Sequence, residues 1–597
     1  MVLKLIFIGS HFVALLAFVV VCFGFGAIVF RRILDSLGSE PLMRFGLAAT
    51  FGLGIVIVAL QFLAILGVLT ITTVVILMLL GVFAAVRQRR QISFSYLSWH
   101  SLLLPEKGAL LLFIAAMLRI LLAPFCPPKA WDELMYHLPH ALHWMETGSL
   151  TVNLWLRYPW FPYNYELLYA ATLLLYDDVF THLLHALAGW LCALLVYQVG
   201  LKFAARAQAL SAAFIWLVLS AEQYDNACID MGTTVFVFGA CVAMWLWWRS
   251  AQSQFGWLLG AAFLLGVAAG VKYQALSFLP IFTGLMLMRE RRIRVISLTV
   301  FVFLVPCVYW YARNAMMTGD PFNPLGGPLF GFSDWNTEDY AYQIADVRSR
   351  AGKLPWLLWP ALFVPIIPEV RRTTHWKLAI GFGGYSILVW YATTGGYIRY
   401  LMPAFPVLAL LAARGWAWLL EALRDSLGGR LKFSLPNPWK RSLQVSVTLL
   451  CVAAFFWTTV PMMKSNWKKI AVTEAEREMY LRSRISGYNV ITYLKRLPSV
   501  HVYQFGLEDA IYYAPQPIYG DHFGPWRYRD LANLPPESLA RRLAEMGFDT
   551  LVIHHLRWPM IAAKPDFLRY FETIFESQGV SVYRIKPWTE ITPADPR

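Results

Sequence analysis

Along most of the chain the hydrophobic positions form long runs divided by short polar or basic breaks. These runs lie near residues 6–30, 46–66, 69–86, 108–124, 182–200, 208–221, 231–248, 256–271, 273–288, 295–312, 354–369, 376–394, 400–420 and 443–462. A helix needs about 20 apolar residues to cross a bilayer, so the pattern predicts an α-helical polytopic membrane protein of about twelve to fourteen spans. From residue 463 the pattern changes. HVYQFG, PPESLARRLAEMGFDTLVIHH and DFLRYFETIFESQGVSVYRI read as strand, helix, strand, helix and strand, with Gly547 as a helix C-cap. The expected organisation is an N-terminal group of helices at 1–104, a helical core at 105–462 and a small external α/β domain at 463–597.

Composition agrees with this reading. Of 597 residues, 58% are hydrophobic and 15% charged, whereas soluble domains carry about 25% charged residues; an ordinary soluble enzyme is excluded. The net charge of +15 does not call for nucleic acid, because membrane proteins gather Lys and Arg in cytoplasmic loops. Arg31, Arg32, Lys202, Arg249 and the basic cluster at 289–294 fall on one set of loops, while the long loops 125–181 and 313–353 are rich in acids and aromatics. The basic loops are therefore expected in the cytoplasm, with both long loops and the C-terminal domain outside. The stretch between Arg249 and residue 289 must then be a hairpin of two short helices with Lys272 at its outer tip. Seven cysteines without a CxxC pair indicate neither a zinc site nor a disulfide framework. No Gly-rich phosphate loop is present, and no nucleotide cofactor is expected.

The densest chemistry lies in PPKAWDELMYHLPHALHW. Asp132 and Glu133 are adjacent, and His137 and His140 follow Glu133 at i+4 and i+7, which puts acid and imidazole on one helical face. Such a face can deprotonate a hydroxyl or bind a divalent cation; the same spacing suits a solvated amphipathic helix capped by Asp132. Leu134–Met145 and Glu166–Tyr176 read as amphipathic helices along the membrane surface. Asp225 and Asp230 stand just before a span. Lys272, Arg313 and Arg399 sit at outer ends of spans, against the positive-inside bias, and need an anionic partner. A phosphate at headgroup level is one such partner and the nearby acids are another. His501, Asp521 and His522 read as structural or surface residues of the C-terminal domain.

Together with YPWFPYNYELLYA, CIDMGTTVFVF, GVKYQAL, WYARNAMMTGDPFNP and IRYLMPAFPVLALLAA, in that order along 105–420, these residues resemble the glycosyltransferase C superfamily. Its members are polytopic enzymes that use polyprenyl-phosphate sugars, such as protein O-mannosyltransferases and aminoarabinose transferases of lipid A. The resemblance implies an enzyme of the bacterial inner membrane, multi-pass, with its active face periplasmic. It would move a hexosyl or pentosyl group from a polyprenyl-phosphate donor to a glycan, lipid or protein acceptor, with inversion. Its partners would be these substrates and membrane lipid, with no nucleic acid. By position, Asp132 would be the general base with Glu133 beside it, and Asp230 the second-loop acid, with Asp225 as rival. Lys272, Arg313 and Arg399 would hold the donor phosphate, with His137 and Glu166 completing the substrate set. Metal use varies across the superfamily, so a divalent ion on Asp132, His137 or Asp230 stays open. FPYNYELLY stands where many relatives carry a His-Pro-Pro motif, which leaves the place of Glu166 open as well. The competing readings are a secondary transporter or flippase, which predicts charges in mid-span and two-fold internal similarity, and an envelope polysaccharide polymerase or ligase.

Overall fold

The computed structural model describes residues 1–38, 40–88, 99–251, 254–430, 437–498, 500–514 and 518–590. Residues 89–98 and 591–597, parts of the expected N-terminal and C-terminal segments, lie outside these. Seven described helices are long and apolar enough to cross a membrane: Val2–Val29, Pro41–Ile65, Ile71–Gln88, Leu104–Phe125, Val179–Phe203, Asp230–Arg249 and Ile398–Leu423. An eighth is added if Ile293–Leu304 and Val308–Thr318, bent by 71°, count as one span. The chain is thus an α-helical multi-pass membrane protein. Among the described residues, the rest of the expected twelve to fourteen spans falls on shorter or less apolar helices, such as Arg206–Leu219, Gly256–Val271 and Trp356–Ile366. Prolines are one cause: Pro360 and Pro365 hold Trp356–Ile366 in 3-10 turns.

The chain divides into two compact units, each discontinuous in sequence. Unit 1 comprises 1–126, 162–310 and 345–470; unit 2 comprises 127–161, 311–344 and 471–597.

In unit 1 the first three helices pack at backbone distance. A Cβ on Gly52 would overlap the Cys22 carbonyl, and one on Gly26 the Ala48 carbonyl, the close approach that small residues permit between membrane helices. The expected hairpin is present: Gly256–Val271 ends at Lys272, whose backbone is extended, and a 3-10 stretch Tyr273–Phe278 leads into Leu279–Arg289. Glu166–Leu175 is a helix but not a surface one. Residues Glu166 to Thr172 are all buried, so its two faces are both covered and the amphipathic reading fails there.

Unit 2 is built on a five-stranded sheet of order β2-β1-β3-β5-β4. The strands are β1 (Val502–Phe505), β2 (Ile518–Tyr519), β3 (Thr550–His554), β4 (Phe571–Ser577) and β5 (Val580–Ile585). β1 runs parallel to β2 and β3, while β5 is antiparallel to β3 and β4. Helix Pro536–Glu545 supplies the crossover that parallel β1 and β3 require. It ends as expected at Gly547, which has φ +84, with Phe548 N–H donating to Leu543 O and Gly547 N–H to Ala544 O, both at 2.9 Å.

The two-residue alternation of the strands makes two cores. Tyr503, Phe505, Leu551, Ile553 and Tyr583 meet Leu539 and Leu543 of the crossover helix on one face. Val502, Val552, Val580 and Val582 meet Leu481, Ile491 and, from the loop at 127–161, Leu134 on the other. One sequence expectation is corrected: the helix read over DFLRYFETIF is a single turn, Phe567–Tyr570, followed by β4. Gln578 and Gly579, both at positive φ, form the two-residue turn that folds β4 onto β5, and the pairing gained across that hairpin outweighs the helical pattern.

Candidate functional site

In unit 1 three isolated charges meet. Asp230 opens helix Asp230–Arg249 and is 2% exposed. Its Oδ1 accepts from Lys272 Nζ at 2.8 Å and its Oδ2 from Arg399 Nε at 2.6 Å. The three residues come from three separate segments, because Lys272 breaks its hairpin and Arg399 lies in the 3-10 stretch Ile398–Ala404. Lys272 Nζ also lies 4.9 Å from the centre of the Tyr400 ring. The Gln274 amide donates to the Tyr400 carbonyl, tying the Lys272 turn to the Arg399 segment. One carboxylate between two cations leaves a net positive charge, which suits an anion larger than the acid already there. Asp225 is engaged elsewhere: Lys469 Nζ lies 3.3 Å from its Oδ2.

Two neutral residues that sequence reasoning passed over hold this cluster. His185 Nε2 accepts from Met231 N–H at 3.0 Å and its Nδ1 donates to Asn226 O at 3.0 Å, so the imidazole caps the helix that Asp230 begins. Asn164, inside FPYNYELLY and fully buried, donates to Pro306 O at 2.9 Å and Val267 O at 3.3 Å and accepts from Trp310 Nε1 at 2.7 Å. Its backbone N–H donates to Gly270 O at 2.8 Å. Asn164 therefore fixes the helix end from which Lys272 projects. Glu166 lies two residues further on, fully buried at the first position of its helix.

In unit 2, Asp132, Glu133 and His137 share one turn, but it is a π-turn. Leu138 N–H donates to Glu133 O, five residues back, and such turns recur at functional sites. The register changes accordingly: Asp132 and His137 come to one side, and an Asp132 carboxylate oxygen lies within 4.8 Å of a His137 ring nitrogen. These two could hold a divalent cation together. Asp230 is a poor metal ligand by comparison, since both its oxygens already face cations. Glu133 is buried and its Oε1 accepts from the N–H groups of Lys129 and Ala130, so it shapes the turn. Asp132 makes no side-chain cap bond, against the reading of it as an N-cap.

Arg313 is buried, with its guanidinium donating to Asn314 Oδ1 at 2.9 Å and to Phe161 O at 3.4 Å, 5.4 Å from the Trp160 ring centre. Arg157, which the sequence does not single out, is 4% exposed and pairs with Asp521 through Nε at 2.8 Å. Its carbonyl accepts from His140 Nε2 at 3.0 Å, and burial pushes the His140 pKa down to about 3. Asp521 is thus structural. His522 stacks on Tyr342 at 5.6 Å, and His501 Nδ1 lies 3.2 Å from Gly547 O, both inside unit 2.

Fold and site define a multi-pass helical membrane protein with a buried acid–cation cluster at a helix start and a separate sheet-bearing unit. The chain belongs to the family described as "Domain of unknown function (DUF8201)", whose model matches residues 10–347 and so takes in most of the helices before residue 105. A second family model, described as SF2091/S2213, matches residues 476–584. The uncharacterized protein SF2092/S2214 of Shigella flexneri is 28% identical over 148 residues, 23% of this chain and 80% of that protein. The uncharacterized protein SF2093/S2215 of the same organism is 42% identical over 67 residues, 11% of this chain and 32% of that protein. Among solved structures, ArnT from Cupriavidus metallidurans bound to undecaprenyl phosphate is 15% identical with a TM-score of 0.49, over 81% of this chain and 98% of that one. AglB from Archaeoglobus fulgidus, in complex with an inhibitory peptide and a dolichol-phosphate, is 11% identical with a TM-score of 0.43, over 82% and 75%.

Proposed function

We propose that the protein is a membrane glycosyltransferase that moves a sugar from a polyprenyl-phosphate donor to a glycan, lipid or protein acceptor of the cell envelope, with inversion. The observation that carries this reading is the meeting of Asp230, Lys272 and Arg399, drawn from three of the motifs that resemble the glycosyltransferase C superfamily, at one helix start. In this proposal the enzyme lies in a bacterial inner membrane with its basic loops cytoplasmic, and 105–462 is its catalytic core.

The proposed chemistry follows from the groups available. Asp132 takes the proton of the acceptor hydroxyl as that oxygen bonds to the anomeric carbon from the face opposite the phosphate. The bond from the anomeric carbon to the phosphate oxygen breaks, and Lys272 and Arg399 stabilise the charge that gathers on the leaving lipid phosphate. Arg313, with Asn314 setting its plane, is assigned to substrate contact, as are His137 and Glu166. Asp230 holds the two cations in place, and Glu133 is a positioning residue for the Asp132 turn. Where a divalent cation serves the reaction, Asp132 and His137 are its ligands.

The test is sugar release by the purified protein from a panel of polyprenyl-phosphate donors. Asp132→Asn is expected to slow turnover by about 10²–10³-fold at unchanged thermal stability; Lys272→Gln is expected to slow it comparably and, by taking one of two partners from the buried Asp230, to lower the melting temperature as well. Absence of turnover with every donor, together with lipid movement across reconstituted vesicles, would sink the transferase in favour of a flippase.

A further inference from the structure

Helix Asp230–Arg249 carries a second feature at its far end. From about 12 Å beyond Asp230, taking about 1.5 Å per residue, it lines a narrow cavity of about 70 Å³ between helices of unit 1. The lining is almost wholly apolar, with Phe238, Val242, Phe282, Phe382 and Leu410 from four helices. A second cavity, of about 440 Å³, shares Trp245, His375 and Leu378 with the first, and its other walls are Trp248 and the polar Arg249, Thr373 and Thr374. The pair therefore has the profile of an amphipathic ligand, with a narrow apolar slot beside a roomier pocket that carries the polar groups.

One further observation gives the polar end its sign. Arg249 is exposed, its guanidinium 5.0 Å from the Trp245 ring centre, and it has no carboxylate partner among the described residues. Thr373 and Thr374 stand on the same wall of the second cavity as Arg249. A cation and two hydroxyls at the mouth of an apolar cavity fit an anionic headgroup on an aliphatic chain. We propose that the two cavities form one site for an anionic phospholipid of the bilayer. Its headgroup lies at Arg249, Thr373 and Thr374, and one acyl chain enters between the helices. The site is distinct from the Asp230 cluster and does not depend on the transferase reading.

Native mass spectrometry of the full chain, purified in detergent, tests this with phosphatidylglycerol and phosphatidylcholine of matched chains. The wild type is expected to retain one phosphatidylglycerol at least about fivefold better than phosphatidylcholine. Arg249→Gln removes that preference and Arg249→Lys restores most of it. Ala379→Phe, which places a ring in the apolar cavity, lowers retention of both lipids. Equal retention of the two lipids by the wild type overturns the proposal. So does retention indifferent to both Arg249→Gln and Ala379→Phe, or displacement of phosphatidylglycerol one for one by undecaprenyl phosphate, which would assign the cavity to a donor lipid.

Discussion

Asp230, Lys272 and Arg399 were legible because an isolated charge at the end of an apolar run has few explanations, and the structure supplies the acid as partner of both cations. His185 and Asn164 were not, since each acts through backbone atoms of remote segments and leaves no spacing to read. The Arg157–Asp521 pair is similarly hidden by 364 residues of separation. Breaking one side of a buried pair strands the other charge, at a cost of about 3–5 kcal/mol. Asp521→Asn is accordingly expected to lower the melting temperature of the protein, and Arg157→Met in the same chain to recover part of the loss; differential scanning fluorimetry decides it. His140 makes a pH prediction. Its pKa of about 3 in the folded chain lies below the ordinary 6.5, so the unfolded chain binds the extra proton first. Stability from burying the neutral ring is complete above about pH 6.5 and is lost as pH falls toward 3. His140→Gln keeps a donor for the Arg157 carbonyl and should flatten the fall in melting temperature between about pH 7 and 4.5; an unchanged slope would remove His140 from the account.

At the scale of elements, the helical hairpin around Lys272 and the Gly547 cap were readable, because a charge inside an apolar run and a glycine after a helical pattern each have a local cause. β4 was not. Its residues fit a helix by themselves, and only the turn at Gln578 and Gly579 and the waiting edge of β5 make them a strand. Helix packing is equally non-local. Gly52 and Gly9 look alike in sequence, yet a side chain at Gly52 would strike the Cys22 carbonyl whereas one at Gly9 meets nothing within 4 Å. Gly52→Val is therefore expected to destabilise by about 1–3 kcal/mol, read as a melting temperature several degrees lower, and Gly9→Val to leave it unchanged. Equal behaviour of the two variants would show that these helices do not meet at backbone contact.

For the whole molecule, the change of composition at residue 463 marks where the apolar runs stop but not what the tail joins. The loops 127–161 and 311–344 belong to the same compact unit as 471–597, through contacts such as Leu134 in the second core and Arg527 at 3.1 Å from Asp339. A chain truncated after residue 470 should therefore keep its helices by circular dichroism while the 127–161 loop becomes sensitive to protease; full protection of that loop would show that it folds without the tail. The same interleaving sets a timetable. Synthesis proceeds at about 5–20 residues per second, so Arg157 emerges roughly 20–70 s before Asp521, the acid it will be buried with. Throughout that interval its guanidinium lacks the carboxylate it is finally buried with. The first long loop is thus made early and completed late, and how quickly the last quarter of the chain is delivered decides how long it stays open to misassembly.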